Sequence, residues 1–144
     1  MKFLMGAIGF DLMVRARQSA SIAGQTVTIA GTDFITVNLG QVVLDDLVLC
    51  SFTMLGTKGA TEGLNALNLR KGAPSTCSLD FAGGFDAFAD FFQVNAGDSI
   101  NIFRTAFGRI TASGTLHLFV NATSLGSDTT GASFAMQAWV LRGS

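Results

Sequence analysis

His117 is the only histidine in this 144-residue chain. Acid–base chemistry that needs an imidazole would have to use it. It stands in Gly-Thr-Leu-His-Leu-Phe-Val-Asn-Ala, beside Phe119 on the second face of an alternating run. A Ser-His-Asp triad would also need an exposed nucleophile. No G-x-S-x-G elbow occurs anywhere in the sequence. His117 is therefore expected to be a sheet-surface or interface histidine.

The carboxylates are equally scattered. Glu62 is the only glutamate and lies in a Gly- and Thr-rich run. The aspartates fall mostly in turn-like settings, where local hydrogen bonding favours Asp. Asp86 and Asp90 are four apart and would share a face if that segment were helical. Asp45-Asp46 offers two oxygen ligands to a loop, fewer than calcium takes, and the EF-hand spacing is absent. Cys50 and Cys77 form no C-x-x-C pair, and one histidine cannot complete a Cys₂His₂ zinc site. Both cysteines sit at positions their neighbours mark as inward, so two buried thiols are expected. A bridge between adjacent strands is the alternative. Gly-Thr-Lys-Gly-Ala-Thr at 56–61 lacks the G-K-[ST] order and the βαβ setting of a phosphate loop. The expectation is no catalytic, cofactor-binding or metal-binding residue, no cofactor, and no enzyme.

The elements around these residues alternate with period two, the signature of strands with one buried face. From Gly9 to Arg17, Phe10, Leu12, Val14 and Ala16 share a face. Gln18–Gly24 is small and polar and reads as a loop. Gln25–Ala30 and Phe34–Leu39 flank a turn at Gly31-Thr32-Asp33 and are expected to form a hairpin, with Ile35, Val37 and Leu39 inward. A turn is expected at Asp45-Asp46. In Leu47–Leu55, Val48, Cys50, Phe52 and Met54 point one way, and the opposite face is half apolar, as in a central strand. Leu64–Arg70 is expected near an edge. Pro74 breaks the pairing after it. Cys77, Leu79 and Phe81 point inward from Thr76–Phe81. Phe85–Gln93 reads as a helical turn leading into a strand. The runs on either side of Gly108–Gly114 have the form of an antiparallel hairpin. Ser133–Arg142 closes the chain, with Phe134, Met136, Ala138 and Val140 on one face. Some eight or nine strands with turns every 8–12 residues make an all-β, two-sheet antiparallel sandwich, with a jelly roll as the chosen architecture. Residues 1–144 are taken as one domain, with 1–24 an N-terminal strand or arm.

Charge bounds the partners. The net charge is −1, and charged residues make up only 13% of the chain against 49% hydrophobic, where about 25% charged is usual. Such a deficit points to surface covered by other subunits, the alternative being a monomer with a Ser/Thr/Asn/Gly surface. Basic residues cluster no further than Arg15/Arg17 and Arg70-Lys71, too few for a phosphate-tracking groove, so no direct nucleic-acid contact is expected. The apolar start, Met1 to Phe10, is too short to span a bilayer and carries no secretory cleavage pattern. No membrane role and synthesis in the cytoplasm are expected. The Asn121-Ala122-Thr123 sequon would then not meet a glycosylating enzyme. The second faces of the late strands carry Phe103, Phe107, Phe119 and Trp139. Aromatics there are the candidate oligomer interface.

Three segments carry a family resemblance. They are Thr-Asp-Phe-Ile-Thr-Val-Asn-Leu-Gly, Asn-Ala-Gly-Asp-Ser-Ile-Asn-Ile-Phe-Arg, and Gly-Thr-Leu-His-Leu-Phe-Val-Asn-Ala. Without a diagnostic motif, they resemble segments of small β-sandwich structural proteins of bacteriophage virions, among them capsid decoration, minor coat and tail-associated proteins. The resemblance implies homo-oligomers, commonly trimers, on a capsid or tail surface, with other virion proteins such as a major capsid protein as partners. It transfers no functional residue. The expected function is a non-enzymatic virion structural protein. The alternative is a carbohydrate- or receptor-binding β-sandwich module.

Overall fold

The computed structural model describes residues 2–5, 10–81 and 87–143. Within them lie ten strands: β1 Lys2–Met5, β2 Phe10–Val27, β3 Thr32–Val42, β4 Leu47–Lys58, β5 Gly63–Lys71, β6 Ser78–Phe81, β7 Ala87–Val94, β8 Ser99–Ala112, β9 Gly114–Ser124 and β10 Thr129–Gly143. They form two antiparallel sheets, ordered β1-β2-β10-β4-β8-β6 and β3-β9-β5-β7. The expected two-sheet sandwich is the observed one.

Its topology is a jelly roll. With the short β1 and β6 set aside, the first strand pairs with the last, the second with the second-last, and so inward. The pairs are β2 with β10, β3 with β9, β4 with β8, and β5 with β7. This is one long hairpin rolled up. Two further pairings, β10 with β4 and β9 with β5, join the rolled parts into sheets.

Rolling explains two departures from the sequence expectation. The runs on either side of Gly114 do not pair with each other: β8 belongs to the larger sheet and β9 to the smaller. β2 and β3 are likewise in different sheets, so no hairpin forms at Gly31. In each case both runs have one apolar face. Placed in different sheets, each run buries its apolar face against the opposite layer, whereas lying side by side would leave that work to a third element.

Three boundaries also differ. Residues 18–24 continue β2, because β10 pairs with Gln18–Ile22 without interruption. β5 is an inner strand between β9 and β7, with Leu67 and Leu69 fully buried. Residues 87–94 are strand, so Asp90 lies on β7 and not on a helix face. Phe85, Asp86 and the expected helical turn there fall outside the described residues, as do Gly6 and Gly9.

The inward faces are those the alternation marks: Ile35, Val37 and Leu39; Val48, Cys50, Phe52 and Met54; Cys77, Leu79 and Phe81; Leu116, Leu118 and Val120; Phe134, Met136, Ala138 and Val140. Two bulges adjust β3 against β9. One adds Phe34, whose ring stacks on Phe134 of the opposite sheet at 4.4 Å between centroids. The other precedes Gly40, whose φ of 71° is cheap for glycine, and it lets Val42 turn inward after Leu39.

Cys50 and Cys77 are both buried. Burial among apolar neighbours pushes the Cys50 thiol up to about 12 from its ordinary 9.0. A folded pKa above the unfolded one gives stability that is complete below pH 9 and is lost as pH rises toward 12. The slope is about 1.4 kcal/mol per pH unit. Cys50→Ala should therefore be less stable than the parent at pH 8, and the gap should close steadily above pH 9 in denaturant titrations. A gap that stays constant to pH 10.5 would refute this account.

Candidate functional site

The outer face of the larger sheet is built by alternate residues of four strands. The cross-strand register sets Arg17, Trp139, Leu49 and Phe107 in one row across β2, β10, β4 and β8. The next row is Ser19, Gln137, Ser51 and Thr105, and the one after it is Ser21, Ala135, Thr53 and Phe103. Between Arg17 at one side and Arg109 at the other, these strands put no charged side chain on the face. Arg109 is itself paired with Asp45 at 2.6 Å.

Apolar side chains on this face are left in solvent. Phe103 is 59% exposed, Phe107 46%, Leu55 45% and Leu49 38%. Trp139 is half-buried, with the Arg17 guanidinium 5.9 Å from its ring centre, a cation–π distance. The small residues between the aromatics leave two shallow depressions, of about 290 Å³ and 370 Å³, on either side of Ala135 and Gln137. Chemically this is a neutral surface of aromatic planes around a strip of hydroxyl and amide groups.

Three of the four aromatics singled out in the sequence thus share one surface. Phe119 does not join them. β9 carries it on the outer face of the smaller sheet, where Arg70 lies 5.5 Å over its ring. A Cβ at Gly72 would come within 2.7 Å of that ring, so glycine there makes room for Phe119. Arg70 also bonds Asp33, which accepts from Asn121 as well.

Other residues with acid–base or ligand chemistry to offer do not converge on a common site. The backbone N–H of His117 donates to Ser75 Oγ, and Ser75 Oγ donates to its carbonyl. Its ring Nδ1 is buried without a hydrogen-bond partner among the described residues. Asp90 pairs with Arg104 at 2.6 Å. The turn at Asp45-Asp46 forms as expected. Fully buried Asp46 receives two bonds from Arg142, at 2.6 and 2.8 Å, and one from the Val43 amide at 2.9 Å. Among the described residues no three His, Cys, Asp or Glu side chains converge to hold a metal ion.

Sequence reasoning missed Lys58. The Gly-rich run 56–63 reads as a loop, yet Lys58 ends β4 and is only 1% exposed. Its Nζ lies within 3.1 Å of Asn65 Oδ1, Ser124 Oγ and the carbonyls of Leu125 and Ser127. Desolvation lowers its pKa, and the nearby charge of Asp128 partly opposes this. The one available signal was a lysine that continues the inward alternation Cys50, Phe52, Met54, Gly56. Removing this donor would strand several buried acceptors. Lys58→Met should cost about 3 kcal/mol in urea unfolding with no change of slope. A loss below about 0.5 kcal/mol would show that the ammonium is dispensable.

No family model matches the chain, and no curated protein sequence does. Solved structures give distant likenesses. A pilus structure described as a Bacillus endospore appendage is 13% identical, with 96% of this chain and 97% of that one covered, at a TM-score of 0.43. A structure of infectious bursal disease virus is 13% identical at a TM-score of 0.37. It covers 91% of this chain, which spans 37% of the viral one. A family 16 carbohydrate-binding module is 11% identical at 0.24. At these values no property of any of them is carried over.

Proposed function

We propose that this chain is a non-enzymatic virion structural protein, a capsid decoration, cement or minor coat subunit that works through homo-oligomeric contacts. The observation that carries the reading is the stretch of the larger sheet's outer face between Arg17 and Arg109, which holds no other charged side chain from its four strands and leaves Phe103, Phe107 and Leu49 in solvent with Trp139 beside them. A lone subunit would keep this apolar area wet, and its burial is worth about 25 cal/mol per Å². Aromatic anchors surrounded by small neutral groups are the composition of an interface centre. The low charge of the whole chain and the sequence resemblance point the same way.

A second reading has its own observation. The strip Ser19, Gln137, Ser51 and Thr105, bordered by Trp139 and Phe107, offers neutral hydrogen bonds beside aromatic planes. That is chemistry suited to a glycan and hence to a carbohydrate- or receptor-binding module.

Sedimentation and a glycan array separate the two. The parent should sediment as an oligomer, and Phe103→Ser with Phe107→Ser should weaken association about tenfold or more, with the melting temperature kept. A parent that stays a monodisperse monomer at all concentrations would overturn the structural reading. Saturable glycan binding that disappears in Trp139→Ala would put the second reading in its place.

A further inference from the structure

An edge of the larger sheet left free among the described residues points to how two copies meet, an inference that rests on the homo-oligomeric reading above. β2 is paired with β10 along its whole length, but β1 covers its other edge only over Phe10–Met13. Along Ala16–Ile22 no described residue other than those of β10 hydrogen-bonds its backbone. Half of the amides and carbonyls in that span point away from β10. Such an edge is a template for another strand, and monomeric proteins usually blunt it with proline, central charge or bulges.

This span is not blunted at its centre. It contains no proline, its single charge is Arg17, and its seven residues pair with β10 in unbroken register. Register shifts flank it on both sides, one between Val14 and Ala16 and one between Ile22 and Gln25. They delimit a straight segment whose midpoint is Ser19. Arg17, Gln18, Ser19 and Ser21 are exposed, while Ala16, Ala20 and Ile22 lean on the core.

We infer that β2 of a second copy occupies this edge, antiparallel and two-fold symmetric about Ser19. The symmetry matches straight segment to straight segment. It sets Arg17 against Ser21 of the other copy, whereas centring on Arg17 itself would place two guanidiniums face to face. The pairs are Ala16 with Ile22, Arg17 with Ser21, Gln18 with Ala20 and Ser19 with Ser19, so every pair holds a small side chain and the strands can approach to sheet spacing. An interface of this kind is isologous and closed. It makes one sheet of two and puts the outer faces of both copies, each with its Trp139 row, on the same side.

Charge exchange at the midpoint tests the inference. Ser19 would lie opposite its own copy, so Ser19→Lys alone and Ser19→Glu alone should each weaken pairing about tenfold or more in sedimentation equilibrium. An equimolar mixture of the two should pair again. Ser19 is exposed, so both variants should melt within a few degrees of the parent. If Ser19→Lys does not fold, Ser21→Lys, set by the same symmetry against Arg17 of the other copy, should weaken pairing likewise. Phe103→Ser with Phe107→Ser should leave the two-copy unit intact while larger assemblies are lost. Undiminished pairing by Ser19→Lys, or charged variants that separate and are not restored on mixing, would overturn the edge inference. Loss of all association in the Phe103/Phe107 variant, with Ser19→Lys unaffected, would overturn it while keeping the face reading.

Discussion

The joint between β4 and β10 closes this molecule. The strands arrive as nested pairs, β2 on β10 and β4 on β8, and the larger sheet exists only because β10 then finds β4. Both are central strands, so their inward residues Cys50, Phe52, Met54, Phe134, Met136 and Ala138 form the floor of the core. A one-residue slip along this joint would turn every one of them outward.

Buried charge fixes that register at both ends of β4. At its start, Asp46 has no exposed surface and is held by Arg142 near the end of β10. At its finish, Lys58 reaches the Ser127 carbonyl just before β10 begins, and also Asn65 and Ser124 of the other sheet. Burying a charge is costly unless it is fully bonded. Neither residue would find these partners in a shifted register, so both act against slippage more than they add to net stability. The same logic explains why the chain can keep so few charges and place several of them inside or in pairs.

Pinning the joint also fixes what the sheet shows to solvent. Once β10, β4 and β8 are in register, Trp139, Leu49 and Phe107 must line up, and the hydroxyl and amide residues must form the next row. The surface proposed for association is thus the reverse side of the best-specified part of the core. The inward half of each strand sets the fold, and the outward half is free to be aromatic where a solvated monomer would carry lysine or glutamate.

The alternation of residue types was enough to give the all-β class, the inward faces of β3, β4, β6, β9 and β10, the turn at Asp45-Asp46 and the buried state of Cys50 and Cys77. Those are local properties, because side chains change sides with every residue of an extended chain. Aromatic residues in outward positions were legible for the same reason, and three of the four chosen share one face. Which strand lies beside which was not legible. The runs flanking Gly114 have the local grammar of a hairpin, yet they join different sheets, where each packs its apolar face against the opposite layer. Partner choice is settled by long-range packing of whole faces, to which a turn of a few residues contributes little. Phe119 on the opposite sheet, Lys58 in the interior and the edge of β2 left uncovered among the described residues follow from that choice alone, and only the tertiary structure could decide them.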